Sequence, residues 1–162
     1  MTDTLHSPSR AVQYNHMKYT AFLKTLTNCP FCEGIKPRIL IENNGAFLTY
    51  SLAPYHKYHL LVIPKRHVEN IKDLTWDEDV CIMALIVAGV KALSNIGHND
   101  CVVVAKDGQA SGKSVKHHLH YHIIPGGKVK DISVNEKVRK LLSDEEEKSL
   151  KLELEKTLGR QD

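Results

Sequence analysis

From His118 to Ile124 the chain reads HLHYHII, an alternation of imidazoles with bulky apolar and aromatic side chains. Successive side chains of a strand point to opposite faces, so His118, His120 and His122 are expected on one face and Leu119, Tyr121 and Ile123 on the other. The second face asks for a packed sheet. The first offers a core nothing, because each imidazole brings a polar nitrogen that must be hydrogen-bonded or hydrated. The bland readings are a solvated edge or a metal site. With a strand rise of ~3.3 Å per residue the outer pair is separated by about 13 Å of backbone, so one tetrahedral ion can gather two of the three but hardly all. At least one imidazole is then left for acid, base or nucleophilic work. A neutral imidazole suits covalent catalysis, since a pKa near ~6.5 leaves it unprotonated around neutrality.

The segment before this strand, DGQASGKSVK, fits an anionic ligand. Gly108 and Gly112 permit close backbone approach, Ser114 offers a hydroxyl, and Lys113 and Lys116 add positive charge; phosphate is the obvious anion.

Strands are expected at RILIE (38–42), AFLTY (46–50), HLLVI (59–63) and CVVVAK (101–106). The first two form a hairpin in which Asn43-Asn44-Gly45 is expected to supply a positive φ. Thr75 with Glu78 makes a capping box ahead of a helix from Trp76 to Ile96, stopped by Gly97. Ser143 with Glu146 opens a charged helix running to Leu158, whose Leu150, Leu154 and Leu158 form a stripe expected to pack on the domain. Weaker periodicity suggests a helix from Gln13 to Leu26. The 162 residues fit one α+β domain, organised as a partly helical extension (1–27), a central domain (28–127) and a charged helical extension (128–162).

Charge names no partner: 22 Lys and Arg against 19 Asp and Glu give a net charge of +3, short of a duplex nucleic-acid binder. The longest apolar run, Val80 to Val90, is too short for a membrane span, and no apolar signal core opens the chain, so a cytoplasmic location is expected. Four cysteines in that setting stay reduced. Cys29 and Cys32 flank Pro30-Phe31 at a spacing that suits zinc, with two coordination positions left to fill; a redox pair or two incidental thiols are the alternatives. Cys81 and Cys101 read as core thiols. His6, His16, His56 and His98 read as surface residues, and His117 as an edge or loop residue off the face of His118, His120 and His122.

The string HLHYHII resembles the His-φ-His-φ-His-φ-φ signature of the histidine triad (HIT) superfamily of nucleotide hydrolases and transferases. The resemblance extends to HLLVIPKRHVENIKDL (59–74), to the loop before the triad and to CPFC. It implies a HIT-like fold, with a curved antiparallel sheet of about five strands and one long helix, commonly a homodimer, binding a nucleotide α-phosphate over the triad. By position, His120 corresponds to the nucleophile that forms a nucleotidyl-histidine intermediate. His122 would contact the phosphate or leaving group, His59 would close the site from the adjoining strand, and Ser114 matches the family's phosphate and leaving-group donor, in a loop that includes Gly112 and Lys113. Cys29, Cys32, His67 and His118 resemble the Cys₂His₂ set of zinc-containing members, which makes zinc structural.

The sequence departs from the family pattern at the sugar. Ser51 stands eight positions before His59, where many members carry an acidic residue that reads the ribose hydroxyls. Lys106 stands where an Asn is frequent, and His117 is an extra residue ahead of the triad. The resemblance leaves the nucleoside and the leaving group open. The alternatives to a nucleotide hydrolase or transferase are a catalytically idle HIT-like binding module with a structural zinc, and a hydrolytic zinc enzyme using His118 and His120 as ligands.

Overall fold

A computed structural model describes residues 19–108, 115, 117–126 and 139–159. Its elements are α1 (Tyr19–Thr25), β1 (Ile41–Glu42), β2 (Ala46–Tyr50), β3 (Leu60–Pro64), α2 (Trp76–Asn95), β4 (Cys101–Ala105), β5 (Tyr121–Pro125) and α3 (Asp144–Leu158). The strands form one antiparallel five-stranded sheet in the order β1-β2-β3-β5-β4, the α+β architecture expected of a HIT-like domain.

The period-2 pattern of β2 and β3 serves two packed faces rather than one. Leu48, Leu60, Val62 and Ile123 join Ile82, Leu85, Ile86 and Leu93 of α2 in the main core, together with Leu150, Leu154 and Leu158 of α3. Phe47, Leu61 and Ile63 face the other way, against Phe31 and Ile35 of the cysteine knuckle. Leu61 pairs with His122 across the β3–β5 ladder, so His122 lies on the knuckle face. Both expected capping boxes are present, with reciprocal side-chain and backbone bonds at Thr75/Glu78 and Ser143/Glu146. Gly97 follows α2 at φ +93 and ends it.

The structure corrects three local expectations. The turn at Asn43-Asn44-Gly45 has no positive φ. It is held by Asn43, whose Oδ1 accepts from the backbone N–H of Gly45 and Ala46 at 3.1 and 2.9 Å. Gly45 is needed for space instead, since a Cβ there would stand 2.9 Å from Cβ of Cys81. The strand expected at 38–42 shrinks to Ile41–Glu42, because Lys36–Arg38, with Pro37 inside, makes a tight helical turn. Finally, the His strand joins the sheet only at Tyr121. His117 takes φ +65, and the N–H of Leu119 donates to the Val68 carbonyl at 2.7 Å, so His118 and Leu119 are held by the 64–68 segment ahead of the ladder. The part of the expected N-terminal helix before Tyr19 lies outside the described residues.

Candidate active site and metal centre

Because His118 leaves the sheet, it reaches the cysteine knuckle. The ligand atoms of Cys29, Cys32, His67 and His118 all lie within 4.8 Å of one another. Sγ of Cys29 is 3.2 Å and Sγ of Cys32 is 3.5 Å from Nδ1 of His118, and Sγ of Cys32 is 3.2 Å from Nδ1 of His67. Donors about 2.0–2.3 Å from one tetrahedral zinc stand about 3.3–3.8 Å from each other, so these spacings match the edges of such a site. Nε2 of His118 donates to the Pro64 carbonyl at 3.0 Å. The proton therefore sits on Nε2 and the Nδ1 lone pair faces the thiols, as a metal ligand requires. This cluster can bind a metal ion through protein side chains alone.

Hydrogen bonds also fix the tautomers of the other imidazoles. Nδ1 of His120 donates to the His118 carbonyl at 2.9 Å, which leaves its lone pair on Nε2. The backbone N–H of Tyr55 donates to Nδ1 of His59 at 3.3 Å, so the proton of a neutral His59 is on Nε2. That N–H donates to Nδ1 of His122 at 2.9 Å, which in turn places the His122 proton on Nε2. A relay of three residues thus ends in an N–H on His122 beside a lone pair on His120, with the two rings 4.8 Å apart. Burial, then the charges of Arg139, His120 and His56, lower His59 to about 3. Burial first, then His120, His59, Arg139 and Lys106, hold His122 well below the usual histidine range. Both rings stay neutral at physiological pH, as the relay requires.

His120 and His122 line a cavity whose wall is mainly apolar, with Phe31, Leu61 and Val115 among its members. Phe31, between the two cysteines, meets the His118 and His120 rings edge-on at 5.6 and 5.2 Å and so ties the knuckle to the triad. Ser51 is buried on the cavity wall, and its N–H donates to the His59 carbonyl at 2.9 Å. Lys106 follows β4 and is close enough to act on His122. Gly112, Lys113, Ser114 and Lys116 lie outside the described residues. His56 and His98, read from the sequence as plain surface residues, instead form a ring cluster with Tyr58 at 5.1–5.9 Å.

Two arginines that nothing in the sequence marked also line this cavity. Arg139 is buried with its guanidinium 4.4 Å from the ring centres of both Tyr19 and Tyr55, and its Nη1 donates to the Ala53 carbonyl at 3.2 Å. Arg38 comes from the turn before β1. Neither stands in a motif, and only the folded chain brings residues 38 and 139 to the same wall.

Comparison with known proteins agrees with this geometry. Residues 33–129 match the HIT domain family. An AP-4-A phosphorylase of Mycobacterium tuberculosis is 30% identical over 99 residues, 59% of this chain and 51% of the relative, so the chain spans about half of that protein's length. An adenosine 5'-monophosphoramidase of Schizosaccharomyces pombe is 30% identical over 102 residues, 60% of this chain and 74% of that one. Among solved structures, a hypothetical histidine triad nucleotide-binding protein of Sulfolobus tokodaii superposes with a TM-score of 0.66 at 25% identity, over 81% of this chain and 92% of its own.

Proposed function

The chain belongs to the HIT domain family, and from that premise we propose that it is a nucleotide hydrolase or nucleotidyl transferase that works at the α-phosphate through a nucleotidyl-histidine on His120. The observation that carries this reading is the bond from Nδ1 of His120 to the His118 carbonyl, which places a lone pair on Nε2 of a ring that faces the cavity. Attack by Nε2 forms an N–P bond as the bond from phosphorus to the leaving group breaks. Water then attacks the same phosphorus, the N–P bond breaks, and Nε2 recovers its electron pair. The proton shed by the water balances the one taken up by the leaving group. Throughout, the Nε2–H of His122 donates to a phosphate oxygen, and His59 keeps that proton in place. Ser114, Gly112 and Lys113 are assigned to the loop that cradles the phosphate, with Ser51 and Lys106 on the nucleotide.

We assign Cys29, Cys32, His67 and His118 to zinc, supported by a donor set of two thiols and two imidazoles whose ligand atoms lie within 4.8 Å of one another. When bound, the ion cross-links the knuckle to the start of the catalytic strand; with four protein ligands it has no position open to substrate. Residues 28–127 then form the catalytic unit, and the segments 1–27 and 128–162 flank it. A site built on two reduced thiols supports a cytoplasmic location. A homodimer is supported by Trp76, Val80, Met83 and Val87, an exposed apolar stripe at i, i+4, i+7 and i+11 of α2, and by the edge position of β4, whose Val103 is also exposed. The substrate is a nucleoside phosphoramidate, dinucleoside polyphosphate or nucleotide sugar. The two curated relatives, named for AP-4-A phosphorolysis and for adenosine monophosphoramidate cleavage, support the first two.

The test is a substrate panel of these three classes with intact-mass detection of a nucleotidyl adduct. Turnover and adduct are expected in the parent protein, with a loss of at least about 10³-fold in His120→Ala. Nucleotide binding with no turnover on any member would instead mark an idle binding module.

A further inference from the structure

Arg38 stands where two cavities meet. It lines the triad cavity and also a second, neighbouring one. The two share Phe22, Leu26, Pro30 and Leu52 as well, so they form one continuous cleft beneath α1. Thr49, whose Oγ1 donates to the Arg38 carbonyl at 2.8 Å, anchors the base of this arginine. Its guanidinium is partly buried and makes no hydrogen bond or ion pair with any described residue. Glu147 acts on it electrostatically while accepting a hydrogen bond from Tyr50 at 2.8 Å. No carboxylate lines the triad cavity among the described residues. Glu33, on the wall of the second cavity, is held by Asn28 at 2.9 Å.

A partly buried guanidinium on a mostly apolar wall is costly unless it meets an anion, and its planar fork of N–H groups matches a phosphate. In the functional reading above, the reacting phosphate is met by His120 and His122. Arg38 is not part of that set, yet it lies on the wall of the same cavity. Ser51, between Thr49 and the Ala53 carbonyl that holds Arg139, adds a hydroxyl donor to the same wall.

We propose that Arg38 binds a second phosphoryl group of the nucleotide, apart from the phosphorus that His120 attacks, so that the preferred ligands carry two phosphate positions. This deepens the functional reading above and rests on it for the placement of the first phosphate. The second group has two chemical sources, a phosphate on the ribose or a further phosphate on the 5′ chain.

Isothermal titration with unreactive nucleotides tests the proposal without requiring turnover. The probes are adenosine 5′-monophosphate, adenosine 5′-diphosphate, and the 2′,5′- and 3′,5′-bisphosphates of adenosine. At least one doubly phosphorylated ligand is expected to bind the parent protein about 10–100-fold more tightly than the monophosphate. Which one does so identifies the source. That ratio should fall to within about twofold in Arg38→Gln and be partly kept in Arg38→Lys, whereas His120→Ala should retain it. Equal binding of all four ligands to the parent overturns the proposal, as does an Arg38→Gln variant that weakens all four by one common factor. A preserved ratio in a protein that turns nothing over would leave Arg38 in this role and remove the catalytic reading instead.

Discussion

His59 is fully buried, and its two nitrogens are committed to the Tyr55 N–H and to His122, so it has no room for a second proton. Its pKa of about 3 lies below the ~6.5 of an unfolded chain. Between those values the unfolded state binds the extra proton, so stability falls as the pH drops through that window and is fully present above it. His122 is shifted in the same direction by the same burial. Each ring contributes a slope of up to about 1.4 kcal/mol per pH unit. Urea midpoints measured from pH 7 to pH 4.5 should therefore decline, and His59→Asn, which cannot titrate, should flatten the decline. Constant stability across that range would contradict the buried relay. At this scale the sequence was readable wherever chemistry is local: the imidazole alternation and the Cys-x-x-Cys spacing each sit within a few residues. Arg38 and Arg139 were not readable, because a surface arginine and a pocket arginine look alike until tertiary packing joins residues 38, 49–53 and 139.

Among the elements, the knuckle and the His strand are coupled. Phe31 contacts both His118 and His120 edge-on, so whatever holds Cys29 and Cys32 also holds the proposed nucleophile. Replacing Cys32 by Ser should take the protein from one zinc per chain to none in native mass spectrometry. The same change should lower kcat by about tenfold or more through misplacement of His120, with KM less affected. Retention of zinc in this variant but not in His120→Ala would shift the metal to the triad and reverse the assignment of His118. The helices were legible because capping boxes are short-range signals. The strand boundaries were less so. Whether an extended segment joins a ladder depends on its neighbours: His118 and Leu119 are tied to the 64–68 segment, which local preference does not encode. The Asn-Gly turn misled for a related reason, since Gly45 is required by the closeness of α2 at Cys81 and not by its own φ.

At the level of the whole molecule, α2 has one face in the core and another exposed. Trp76 and Met83 are 79% and 58% exposed, an arrangement costly in solution unless another surface covers it. Sedimentation of the parent protein is expected to give two chains per particle, and Met83→Glu with Val87→Glu to give one while secondary structure is retained. A monomeric parent would exclude this face as a subunit contact. The stack of Tyr19, Arg139 and Tyr55 carries a different consequence. Tyr19 and Arg139 both lie outside residues 33–129, the stretch that matches the HIT domain. The HIT domain match thus takes in the proposed catalytic histidines but not Tyr19 or Arg139 of this stack. Divergence at either end of such a chain can retune what is admitted while leaving the proposed nucleophile untouched, so kinship in this group is a better guide to the kind of chemistry than to diet.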